Sequence, residues 1–175
     1  MSRSPYRVKD MTQIALMVVL ITVCSWISIP APVPFTLQTF AVFFALLSLG
    51  GRHGMTAICV YLIMGAIGLP VFSGFQGGMG VLAGAYGGYI GGFLVMALLF
   101  RFLAEKASEK RSVAVLVLGL AACYAFGTLW FWAGYAQGRG LIAVLTLCVF
   151  PFVLPDLGKL ALAVFLARRL KRHIR

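Results

Sequence analysis

The chain contains no asparagine, four acidic residues and two histidines. Each shortage closes off some chemistry. Without asparagine there is no N-x-[ST] acceptor for N-glycosylation. Glu105 and Glu109 share the polar run "RFLAEKASEKR" (101–111) and Asp10 lies near the start, so Asp156 is the one acid inside an apolar stretch. No pair of intramembrane carboxylates is therefore available for acid–base work. His53 and His173 lie in short basic segments and no H-E-x-x-H occurs, which argues against a membrane metallohydrolase. The four cysteines (Cys24, Cys59, Cys123, Cys148) sit in separate apolar segments without C-x-x-C spacing. They read as small buried hydrophobes.

Polar surface is scarce as well. Charged residues make up 11% of the chain and hydrophobic ones 62%, too little polarity to cover a soluble domain of this length. The expected solvent is a bilayer, with residues 1–175 forming a single membrane domain. Arg3, Arg7 and Lys9 before an apolar stretch mimic a signal peptide. That stretch is long for a signal core and the hydrophobicity continues past it, so cleavage is not expected. The net charge of +11 invites a nucleic-acid reading. The basic residues flank apolar spans instead of sharing one soluble face, so no nucleic-acid partner is expected.

Six apolar spans are legible: Thr12–Ile29, Leu37–Leu49, Gly54–Leu69, Gly80–Phe102, Val113–Tyr135 and Leu141–Leu170. The second and third are short, and a hairpin dipping partway is the alternative reading. Lys and Arg concentrate in cytoplasmic loops. Placing Arg3, Arg7 and Lys9 inside puts 13 of the 15 basic residues on that side, including Arg52, the 101–111 run and the C-terminal cluster. The opposite loops hold only Arg139, and Lys159 lies within a span. The expected fold is an all-α integral membrane protein with six transmembrane helices and both termini cytoplasmic. The outer segment "PAPVPF" (30–35) has three prolines at alternate positions, which favours an extended path. The next outer loop, "LPVFSGFQGG" (69–78), is uncharged and aromatic. It reads as a lid or cavity wall, with interfacial anchoring as the alternative.

Nine glycines crowd "SGFQGGMGVLAGAYGGYIGG" (73–92). A G-x-G-x-x-A match at Gly78–Ala83 has no preceding strand and no acid about 20 residues on, so it is no dinucleotide site. Gly80, Gly84, Gly88 and Gly92 recur every fourth residue, which predicts one helix face for close packing. Gln76, Tyr86 and Tyr89 are interspersed among them. The tyrosines read equally as belt residues, and Gln76 as a solvated loop residue.

The segment "VLPDLGK" (153–159) is the least expected. Pro151 and Pro155 should break the sixth span. Asp156 would then stand in the first turn of a new helix, where the dipole favours it, with Lys159 on the same face. At about 1.5 Å per residue, Asp156 lies roughly 17 Å from the cytoplasmic boundary of a core about 30 Å thick. Each such charge costs about 2.5–3.5 kcal/mol to insert, so a partner is required. The two charges serving only each other is one reading. A broken helix presenting an acceptor and a donor at mid-depth reads better as a solute site.

"SIPAPVPFTLQTFAVF" (28–43), "YLIMGAIGLPVFSGFQGGMGVLAG" (61–84), "GGYIGGF" (87–93) and "PDLGKLALA" (155–163) resemble, in order and over most of the chain, the BioY family. These are the substrate-binding S components of biotin transporters. The resemblance implies biotin capture from outside. It also implies partnership with a transmembrane coupling subunit and two ATPase subunits of an energy-coupling-factor transporter in the cell membrane. ATP would act only through those partners, with no cofactor in this chain and no enzymatic activity. Asp156 is then assigned to the ureido N–H groups of biotin and Lys159 to its carbonyl, with pairing of Lys159 to the valerate carboxylate as the competing assignment. Phe35, Tyr86 and Tyr89 would wall the apolar body, and Gln76 or Gln38 would add a polar contact. Such S components often carry A-x-x-x-A on the first helix for docking. Here the nearest match is Ala15 with Val19. A carrier of another small vitamin or ion is the alternative function, and a membrane enzyme a more distant one.

Overall fold

The computed structural model describes residues 7–29, 34–105 and 107–174, without the side chains of 171, 173 and 174. Helix α1 spans Val8–Trp26. A two-residue antiparallel ribbon follows, β1 (Ser28–Ile29) with β2 (Phe35–Thr36), in which Ser28 pairs with Thr36 and Ile29 with Phe35. Residues 30–33, where the proline-rich path was expected, lie outside the described residues, as do Arg3, Lys106 and Arg175 of the basic clusters. Then come α2 (Gln38–Ala66), a 3-10 turn at Ser73–Phe75, α3 (Met79–Ala83), α4 (Gly87–Ala104), α5 (Glu109–Tyr135), α6 (Leu141–Cys148) and α7 (Phe150–Ile174). Among the described residues five stretches are long and apolar enough to cross a membrane, one of them running through α6 and α7.

Helix α2 is not straight. Gly50 takes φ +79° and ψ 176°, a conformation open to glycine and costly for residues with a Cβ. The chain reverses there. A Cβ on Gly54 would lie 3.0 Å from the Leu46 Cα, and the Gln38 amide donates to the Tyr61 hydroxyl at 2.9 Å. In a straight helix residues 38 and 61 would stand about 34 Å apart. The expected spans Leu37–Leu49 and Gly54–Leu69 are therefore two arms folded against each other.

The expected glycine face is corrected in its first half. Gly84 is extended (ψ −176°) and ends α3, so Gly80 and Gly84 do not belong to α4. A Cβ on Gly80 would meet nothing, and one on Gly84 only the carbonyls of Gly80 and Val81. Gly88 and Gly92 do form a packing face. A Cβ on Gly92 would lie 2.6 Å from Cys123 Sγ, and one on Gly88 would collide with Trp130. Helix α5 reciprocates with Gly119 against Met96 and Gly127 against Tyr89. Glycine on each helix thus receives bulk from the other, allowing the close approach typical of small-residue packing.

The proline break also shifts. Helix α6 ends at Cys148 and Val149 leaves helical geometry (φ −124°, ψ −59°). Helix α7 starts at Phe150, so Pro151 stands in its first turn, where a missing N–H costs nothing. Pro155 is inside the helix. Asp156 is consequently near the end of the second turn of α7, and the dipole contributes less to it than a first-turn position would.

The core is built around Phe43, Leu46, Ile58, Tyr61, Met96 and Leu116, all fully buried. Leu16, Val19 and Val23 on α1 and Leu118, Leu129 and Trp132 on α5 are exposed, as surfaces bathed in lipid are. The loop after α2 is pinned to the bundle. Ser25 and Tyr61 both donate to the Val71 carbonyl, the latter at 3.1 Å, and the Trp26 indole donates to Pro70 O at 2.8 Å. Phe72 fills the space that glycine leaves at position 65. These bonds tie the uncharged loop to α1 and α2.

Candidate functional site

The site grows from α7. Asp156 and Lys159, one helical turn apart, are 4% and 7% exposed and bond to each other at 2.7 Å. A buried charge pair is sustained only when further hydrogen bonds satisfy it. Here they come from three other elements. Thr39, in the first turn of α2, donates to Asp156 Oδ1 at 3.1 Å, and Tyr124 of α5 donates to Oδ2 at 2.6 Å. Lys159 Nζ donates to the Thr36 carbonyl of β2 at 2.6 Å and lies 4.0 Å above the Phe35 ring. The ribbon, α2, α5 and α7 are thus joined at one carboxylate and one ammonium.

These groups stand in the wall of a cavity with about 650 Å³ of empty space, its open mouth included. Tyr86, Tyr89, Phe93 and Phe152 supply aromatic surface, and Gln38, Thr36, Ser73 and Tyr124 supply polar points. A largely apolar pocket with few polar groups is the usual form of a small-molecule site. Among the described residues no cluster of three potential metal ligands occurs.

Of the residues singled out from sequence, Asp156, Lys159, Gln38, Tyr86 and Tyr89 share this cavity. Gln38 faces it while its amide is engaged with Tyr61. Tyr89 exchanges a hydrogen bond with Thr128 at 3.1 Å. The other two stand one step back. Phe35 packs under Lys159 and against Phe152 (5.8 Å between ring centres) without lining the cavity. Gln76 lies beyond Tyr86 and accepts its hydroxyl at 2.5 Å. Sequence reasoning missed Tyr124 and Thr39. Thr39 lay within the segment "SIPAPVPFTLQTFAVF" (28–43), whereas Tyr124 carried no signal beyond being a polar-tipped aromatic in mid-span.

Residues 1–175 match the family model described as the BioY family. The chain belongs to the BioY family. A protein named biotin transporter BioY from Thermotoga maritima is 42% identical over 166 residues, covering 94% of this chain and 96% of that one. The probable biotin transporter BioY of Pyrococcus horikoshii is 38% identical over the same length, covering 94% and 98%. The crystal structure of an S component for biotin from an ECF-type ABC transporter superposes with a TM-score of 0.83 at 28% identity, covering 94% of this chain and 92% of that one. A second bacterial ECF S component, 12% identical with a TM-score of 0.63, shares the fold. This BioY chain, with its apolar helices, is a multi-pass membrane protein.

Proposed function

We propose that this BioY chain captures biotin at the outer face of the cell membrane and serves as the S component of an energy-coupling-factor transporter. The observation that carries the proposal is a buried Asp–Lys pair, hydrogen-bonded from three other elements, in the wall of an aromatic cavity. Biotin suits such a wall. Its cyclic urea offers N–H donors and a carbonyl acceptor, while its thioether ring and chain are apolar. Relatives named as biotin transporters and the similar fold of an S component for biotin support the same ligand. Asp156 and Lys159 meet the urea, Tyr86 and Tyr89 wall the apolar body, and Gln38 is the nearer of the two glutamines. Phe35 and Gln76 support Lys159 and Tyr86 from behind. No bond in biotin is made or broken. Hydrolysis of ATP belongs to two ATPase subunits that reach this chain through a transmembrane coupling subunit.

The topology proposed is six membrane crossings with both termini cytoplasmic. The reversal at Gly50 supports counting the two arms of α2 separately, and the distribution of basic residues supports the orientation. Saturation binding to the purified protein tests the ligand: biotin is expected to bind stoichiometrically, while riboflavin and thiamine do not compete. Competition by either vitamin would point to a different solute. Purification of the tagged protein from its native host is expected to bring the coupling subunit and ATPases with it.

A further inference from the structure

The hydrogen bonds already made by Asp156 and Lys159 limit what a ligand can be given. A carboxylate has about four lone-pair positions and an ammonium three donors. On Asp156, Oδ1 already accepts Thr39 and Lys159, and Oδ2 accepts Tyr124. Among the described residues nothing takes the remaining acceptor position, on Oδ2. Lys159 spends two donors, on Asp156 and on Thr36 O. Its third N–H makes no hydrogen bond among the described residues. Asp156, Lys159 and Tyr124 all line the cavity. The unspent capacity is therefore one acceptor beside one donor, which matches a single N–H and the carbonyl next to it.

Resting on the reading of this cavity as a biotin site, we infer that Asp156 reads one N–H of the cyclic urea, not both, and that Tyr124 is the positioning residue that enforces this. The two N–H bonds of a five-membered cyclic urea point to opposite flanks of its carbonyl. Their acceptors must stand farther apart than the two oxygens of one carboxylate. The sequence-based assignment of both N–H groups to Asp156 gives way on that ground. Tyr124 acts by filling the second position on Oδ2 and fixing the plane of the carboxylate, so that the remaining lone pair is aimed. Its hydroxyl is held from α5, across the cavity wall from the helix carrying Asp156. A carboxylate restrained from two sides loses little freedom when the ligand arrives, which is how preorganisation raises affinity.

Tyr124→Phe removes the hydroxyl and keeps the ring, so packing is retained. The test measures biotin and its two cyclic carbamate isomers, each with one ring N–H replaced by oxygen, on the wild-type protein and on Tyr124→Phe in detergent. Tyr124→Phe is expected to weaken biotin about tenfold. It should weaken by a similar factor the isomer that keeps the N–H read by Asp156. The isomer lacking that N–H should change by less than about twofold, since Tyr124 then has nothing to aim. Equal penalties for all three ligands would make Tyr124 merely structural, and no penalty for biotin would remove its role. Penalties kept for both isomers, with both bound more weakly than biotin by similar factors on the wild-type protein, would mean that Asp156 reads both N–H groups. Failure of the wild-type protein to bind biotin would sink the functional proposal itself, a result separable from each of these.

Discussion

Lys159 and Asp156 stabilise each other, yet either alone is a liability. Asp156→Ala leaves the Lys159 ammonium buried with only a carbonyl and an aromatic face. A hydrogen bond to a charged group is worth about 1.5–3 kcal/mol, so biotin affinity is expected to fall about tenfold to a hundredfold, measured by titration. Asp156→Asn should lose less, because an amide still has one accepting oxygen. The paired change Asp156→Leu with Lys159→Leu removes both charges together, and such replacements are often neutral or stabilising. The double variant should retain its melting temperature and bind no biotin. Unchanged affinity in that folded variant would show that the pair is only a structural lock. The pair itself was legible from sequence because charges in an apolar run must have partners. Tyr124 was not, since its contact to Asp156 spans 32 residues of chain and no local pattern marks it.

At the scale of elements, the wall that carries Tyr89 and Tyr124 is set by the α4–α5 contact. Gly92→Leu must displace Cys123, whose Cα would stand 3.0 Å from the new Cβ. Overpacking of this kind costs about 1–3 kcal/mol, so a clear fall in thermal stability is expected. Gly80→Ala meets open space and should stay within about 0.5 kcal/mol. Equal loss in both variants would contradict the packing described. The four-residue glycine period predicted this contact but extended it one helix too far. Period alone cannot see that the chain stops being helical at Gly84 and starts again only at Gly87. The prolines misled in a related way. They identified a break in the last span, while its position was set by Val149, just before the residue pair Phe150–Pro151 that opens α7. The Gly50 reversal was anticipated by charge, since Arg52 stands between two apolar arms too short to be read separately with ease.

For the whole molecule, the orientation can be tested directly. In a background with the four native cysteines replaced, Gln137→Cys should react with an impermeant thiol reagent on intact cells, and Ala107→Cys only after lysis. Reaction of both from the same side would end the six-crossing topology. The charge alternation behind this expectation is a whole-chain property, which is why it was visible without any contact being known. The cavity was not visible in that way. It depends on Thr36 and Thr39 meeting residues 123 and 117 positions further along.

Those long separations bear on how the protein is made. Thr36, Thr39 and Tyr124 all leave the ribosome before Asp156 and Lys159, whereas the ion pair spans three residues and can close within α7. The one acid of the last helix can therefore be neutralised within that helix before any earlier segment is met. A chain released before residue 150 would leave the Thr36 carbonyl and the Thr39 and Tyr124 hydroxyls without these partners. The bonds that aim the carboxylate and the ammonium at a ligand are thus ones that only the last helix can complete.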